Sequence, residues 1–156
     1  MTDLNFANWI ERQVYWLLAV LDNFPLWPVQ TCARVAVGLV FLQSGLNKLE
    51  SWEPTLAFFR DEYRLPFLSY DLAAQLGTTV EVTASLFLLA GLFARLATLP
   101  LLGMIAVIEI FVYPQAWVEH LTWASLLLLI LLRGAGLLSV DHLLARGAVK
   151  RAVMRA

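Results

Sequence analysis

The sequence predicts an all-α integral membrane protein, a four-helix bundle preceded by an N-terminal interfacial amphipathic helix. Of its 156 residues 60% are hydrophobic and 15% charged, and mean hydropathy is +0.72. A soluble domain of this length cannot cover that much apolar surface. Four apolar stretches, at about residues 29–49, 72–93, 96–113 and 121–138, approach or exceed the roughly 18–20 residues that cross hydrocarbon.

The N-terminal segment, residues 1–28, is apolar but interrupted by Glu11, Arg12 and Asp22, the pattern of a helix lying in the membrane surface. Trp9, Trp16 and Trp27 suit the headgroup level. Pro25 and Pro28 end this helix and turn the chain into the first span. The start is acidic rather than basic and lacks a small-residue cleavage site, so no cleavable signal peptide is expected.

The first span carries Arg34, Gly38, Phe41, Gly45 and Lys48 at spacings of four and three, which is one helix stripe. Its glycines admit a close neighbouring helix. The outer loop, residues 50–71, is too polar to span and rich in aromatics. It reads as a short amphipathic helix from Glu53 to Tyr63, closed by Pro66. Phe58, Phe59, Tyr63 and Phe67 either anchor that helix in lipid or lid a cavity between the spans, and their pattern leaves both readings open. The second span has its own stripe, Gly77, Glu81, Ala84, Leu88 and Gly91, which turns Glu81 toward the bundle. Glu109 lies near the outer end of the third span. The fourth span closes in RGAGLLSVD, and residues 142–156 form a basic C-terminal tail suited to the inner leaflet.

Charge distribution orients the chain. With the N-terminus inside, Arg12, Arg34, Arg95, Arg133, Arg146, Lys150, Arg151 and Arg155 fall on the inner side, and only Lys48, Arg60 and Arg64 on the outer. That bias predicts a multi-pass protein with both termini in the cytoplasm. Its partners are then the lipid bilayer, another protein or membrane complex, and further copies of itself. Nothing in the chain suggests nucleic-acid binding.

Candidate chemistry lies with the intramembrane charges. A carboxylate at bilayer depth costs roughly 2.5–3.5 kcal/mol on insertion scales, so it needs a partner, a proton or a function. By depth, an outer-half cluster gathers Lys48, Glu81, Glu109, Glu119 and His120, of which Lys48, Glu81, Glu109 and His120 form a candidate ligand site. Glu81 and Glu109 are the candidate proton relay; no catalytic residue is assigned. Toward the inner face Arg34, Arg95, Ser139 and Asp141 suggest structural ion pairing, with Arg34 to Asp141 the obvious pair, and Lys48 to Glu81 or Glu109 its outer counterpart. The single cysteine, Cys32, excludes an intrachain disulfide and a CxxC redox pair. The two histidines, His120 and His142, fall on opposite faces, so no metal set is expected.

These residues resemble the DoxX family of membrane proteins. The resemblance rests on RVAVGLVFLQSGLNKL (residues 34–49), the aromatic loop with its proline, the glutamate in mid-span, AGLFARLA (residues 90–97) and GAGLLSVD (residues 134–141). Ala135 departs from it, standing where the family's glycine-rich turn is expected to carry proline. The resemblance implies the four-span architecture. It implies less about activity: the family name comes from a subunit of a thiosulfate:quinone oxidoreductase, some relatives are linked to thiol and oxidative-stress handling, and others look like accessory membrane proteins. Three functions follow as expectations: an accessory or anchor subunit for a partner complex, a quinone-linked oxidoreductase subunit that draws electrons from a partner, and a small proton-coupled transporter.

Overall fold

The computed structural model describes the backbone of residues 2–153 and the side chains of residues 8–147. It is all-helical, with no strand among the described residues. The helices are α1 (Thr2–Asp22), α2 (Trp27–Glu50), α3 (Trp52–Phe58), α4 (Tyr70–Ala90), α5 (Ala94–Phe111), α6 (Trp117–Arg133) and α7 (Val140–Val153), with a wider π-type turn over Phe59–Tyr63. Three of them, α2, α4 and α5, are long and apolar enough to cross a membrane. The 17 residues of α6 extend it about 25 Å at 1.5 Å per residue.

Helices α2, α4, α5 and α6 close into a ring in which α2 lies against α4 and α6, and α5 lies against the same two. The ring's interior is Val37, Phe41, Leu88, Leu101, Leu127 and Ile130, all buried. Glycine sets its tightest seam. A Cβ added at Gly45 would come within 2.7 Å of the Val82 side chain and 3.2 Å of the Val82 backbone nitrogen, so α2 and α4 touch almost backbone to backbone there.

Helix boundaries depart furthest from the apolar pattern at the end of the fourth span. Residues 134–138 were expected to extend the fourth span, but α6 stops at Arg133. Gly134 and Gly136 both have positive φ, 85° and 84°, which ends the helix although the leucines beyond it are apolar. The outer loop also departs from a single helix over residues 53–63. It begins at Trp52, widens after Phe58 and ends at Arg64 in the left-handed region. At the other end of the chain α1 is helical as expected, and its residues 8–22 are exposed on every side. Pro28 sits in the first turn of α2, where its missing N–H costs nothing. Of the basic tail, α7 describes the backbone to Val153; the side chains of Lys150 and Arg151, and Arg155 altogether, lie outside the described residues.

The end of the ring nearest the two glycine turns is tied together by polar side chains acting on backbone. Arg34 is buried and donates from Nη1 to the carbonyls of Leu88 and Leu89, each at 2.7 Å, and from Nη2 to that of Leu138 at 2.6 Å. Leu88 and Leu89 lie in the last turn of α4, where the Leu88 carbonyl also accepts from the Gly91 N–H at 3.0 Å, and Leu138 lies in the turn before α7. Asp141 does the converse for α5: its carboxylate accepts from the N–H groups of Phe93 at 2.8 Å and Ala94 at 3.0 Å. Its own N–H donates to the Gly91 carbonyl at 2.9 Å. Gln30 adds a bond to the Arg133 carbonyl at 2.8 Å, capping α6.

The expected Arg34–Asp141 ion pair is therefore corrected. No such pair occurs among the described residues; both serve one junction through the backbone, Arg34 on carbonyls and Asp141 on the N–H groups that open α5. Arg95, expected to join them, is exposed and forms no ion pair among the described residues.

Replacing Arg34 by Met should lower the thermal unfolding midpoint in detergent micelles, with a cost of about 2–3 kcal/mol from orphaned carbonyls. Asp141→Ala should cost less, about 1–2 kcal/mol, as loss of a helix cap does. Equal midpoints for wild type and both variants would mean the junction does not hold the ring together.

Candidate functional site

Glu81 lies about 16 Å along α4 from Tyr70 at 1.5 Å per residue, near the middle of the helix. It is buried, and Lys48 of α2 meets it. Lys48 Nζ donates to both carboxylate oxygens at 2.7 Å and to Ser44 Oγ at 2.8 Å, and Ser44 Oγ in turn donates to Glu81 Oε1 at 3.2 Å. The pair's side chains are 17% and 6% exposed, so two opposite charges are held largely out of solvent and satisfy one another. Gly45 makes this possible, since its missing side chain lets α2 approach Glu81 and Val82.

The ion pair stands at the edge of a cavity of about 200 Å³. Its walls are Leu76, Gly77 and Val80 from α4, and Pro100, Gly103 and Met104 from α5. Phe59 and Tyr63 form the roof, with ring centroids 4.3 Å apart and nearly parallel. Phe59, Tyr63 and Phe67 line the cavity, Phe67 from an exposed position, whereas Phe58 is exposed and does not line it. The roof is fastened to the far end of α5. Tyr113 donates to Glu62 at 3.3 Å, Tyr63 meets Tyr113 edge-on, and Phe67 meets Phe111 edge-on at 5.3 Å. The Tyr63 hydroxyl has no hydrogen-bond partner among the described residues. Burial raises its phenol, and the negative charge of Glu81 raises it further, so it remains a proton-bearing donor at neutral pH.

The expected outer cluster is thus split. Glu109 and His120 do not line the cavity. They pair with each other across the α5–α6 seam, His120 Nδ1 lying 2.5 Å from Glu109 Oε2. The His120 ring stands 5.7 Å from Trp123, which meets Phe41 of α2 edge-on at 5.8 Å. Glu119 is exposed and has no ion-pair partner among the described residues. Ser44, Gly103 and Met104 escaped the sequence reading. Ser44 lies one turn before Lys48, a signal that was available. Gly103 and Met104 carried none, because only the packing of α5 on α4 shows that they face a hollow. No group of three or more His, Cys, Asp or Glu suited to a metal ion occurs among the described residues.

A family model described as DoxX matches residues 29–114, which take in α2 through α5 and hence the cavity, the ion pair and the roof. The turn over residues 134–141, also part of the resemblance, lies beyond that match. No curated protein and no solved structure matches the chain.

Removing one member of the Lys48–Glu81 pair leaves the other as an uncompensated buried charge. Lys48→Met or Glu81→Leu alone should cost about 3–5 kcal/mol, and the double variant clearly less than the two together. Thermal unfolding of all four proteins in one detergent completes the cycle. Additive losses would mean the charges do not stabilise each other.

Proposed function

The chain belongs to the DoxX family, and from that premise we propose that it is an accessory subunit of a bacterial inner membrane whose cavity seats a quinone for a partner enzyme. The observation that carries this reading is an apolar hollow of about 200 Å³ that ends on a buried ion pair and an unpartnered phenol. Cofactor pockets have that form: mostly hydrocarbon walls with a few convergent polar groups.

The residues fit the group. Tyr63 offers a hydroxyl donor to a ring carbonyl, and Lys48 offers a charge-assisted one if it exchanges its bond to Ser44. Phe59 and Tyr63 cover the ring and keep water from it. A bound quinone supplies the capacity to take up electrons and protons. Glu81, held by Lys48, is the carboxylate that moves the proton at this site, and Glu109 with His120 stands apart as a second carboxylate inside the ring. The chain has one cysteine and no dinucleotide fingerprint, so in this reading the electrons come from the partner.

The topology that goes with it takes α6 as a fourth crossing beside α2, α4 and α5. Arg95 and Arg133 then face the cytoplasm with both termini, and Arg60 and Arg64 face outward. Helix α1 lies in the inner interface.

A second reading drops the quinone and keeps the assembly role. The exposure of α1 over residues 8–22 favours it, because Val14–Leu21 is an unbroken apolar run of exposed side chains.

Organic extraction of the gently solubilised protein should recover about one quinone per chain. Gly103→Phe, whose new side chain starts in open space, should abolish that recovery and leave the helical circular dichroism unchanged. Lys48→Met should weaken quinone binding about tenfold, the worth of one charge-assisted hydrogen bond. A co-purifying protein with no quinone would leave the assembly role alone standing.

A further inference from the structure

We propose that the groove between α4 and α5 seats the hydrocarbon tail of this ligand, so that the protein takes a long-tailed quinone and admits it sideways from the bilayer. This rests on the quinone reading above and goes beyond it to the class of quinone and the route of entry.

A second hollow, of about 330 Å³, lies on the same seam. Thr83, Ala84 and Phe87 line it from α4, Leu96 and Ala97 from α5, and Phe93 from the turn between them. Pro100 lines both hollows, so the two adjoin at that residue. Together they follow α4 from Ala73 to Phe87, about 21 Å at 1.5 Å per residue.

Small side chains keep this seam open. Ala84 and Ala97 line the second hollow from opposite helices, and Gly77 and Gly103 line the first. A Cβ at Gly103 would meet nothing within 4 Å. The contrast with the α2–α4 seam is sharp, since glycine there draws the helices together, and here it leaves space.

Polarity along the groove is that of an amphiphile. Lys48, Tyr63, Glu81 and Thr83 are the polar side chains among the residues lining the two hollows. Thr83 spends its hydroxyl on the Thr79 carbonyl at 2.6 Å. From Glu81 toward Phe93 the walls are therefore hydrocarbon in all but name. A water-soluble ligand would use the first hollow and gain nothing from the second; a tail gains close packing along its whole length.

Entry from the side follows from the roof. Three contacts, Tyr113 to Glu62, Tyr63 to Tyr113 and Phe67 to Phe111, bind the loop to α5 over the end of the cavity. The seam itself is flanked by the exposed residues Leu76, Phe87, Phe93 and Leu96, which lipid would touch.

The test compares two benzoquinones of identical head, one with a methyl and one with a decyl substituent, titrated into the whole chain in lipid nanodiscs. Affinities are expressed per mole fraction in the membrane, which removes simple partitioning. Wild type should hold the decyl compound about tenfold more tightly, through tail packing. Thr83→Trp and Leu96→Trp, both at exposed positions on the second hollow, should bring the decyl compound down to the methyl one and leave the methyl compound unaffected. Equal affinity for both compounds in wild type, or a tail preference that survives both variants, overturns the proposal. A photoactivatable alkyl probe separates this from failure of the quinone reading. Labelling confined to the α4–α5 seam and lost in Thr83→Trp supports the tail seat even where neither quinone binds. Labelling spread evenly over the lipid-facing helices overturns it.

Discussion

Within lipid there is no water to solvate a charge or an unpaired peptide group, so the buried charges and helix-end groups of this chain are answered from inside the protein, while Arg34 Nε and the Thr78 and Ser85 hydroxyls have no partner among the described residues. The Lys48–Glu81 pair is where that constraint is most expensive and most productive. A carboxylate near mid-helix forces a cation to the same depth, and the cation forces α2 against α4. The approach is close enough only because residue 45 is glycine. One charge thereby dictates the tightest helix contact of the ring, and the loop that follows α2 is delivered over the cavity as a consequence.

The opposite end obeys the same rule with different chemistry. Three helix ends converge there, and their carbonyls and N–H groups are taken up by Arg34, Gln30 and Asp141. Arg34 suits the task because its fixed planar fork reaches several carbonyls at once, which the single ammonium of a lysine would not match. Gly91 is confined by it: a side chain there would strike Arg34 and Ser139, and its φ of +65° excludes most residues in any case.

Much of this was legible in the sequence, for physical reasons that can be named. Helical spacing put Arg34, Gly38, Gly45 and Lys48 on one face and Glu81 on a facing one, and periodicity needs no knowledge of neighbours. Depth matching was less dependable. It grouped five residues as one outer cluster, yet depth along a helix says nothing of azimuth, and the azimuths divide Lys48–Glu81 from Glu109–His120 and leave Glu119 outside. It also matched Arg34 with Asp141 as charges, when the nearest demand on each was a backbone group. The cavity was invisible for a related reason. Gly103 and Pro100 look like flaws in an apolar helix until α4 is set beside them.

Those two flaws complete the physical logic of the ring. Four helices of this length could all pack tightly, and α2 against α4 shows that the sequence is able to arrange it. Along α4 and α5 it does otherwise, placing glycine and proline where leucine would fill the space and raise stability. Pro100 gives up a helical hydrogen bond in the process. A hollow on one seam, beside an ion pair that holds the next together, divides the ring into a close-packed side and an open one. The close seam brings the polar groups together, and the open one leaves surface on α4 and α5 that the helices themselves do not cover.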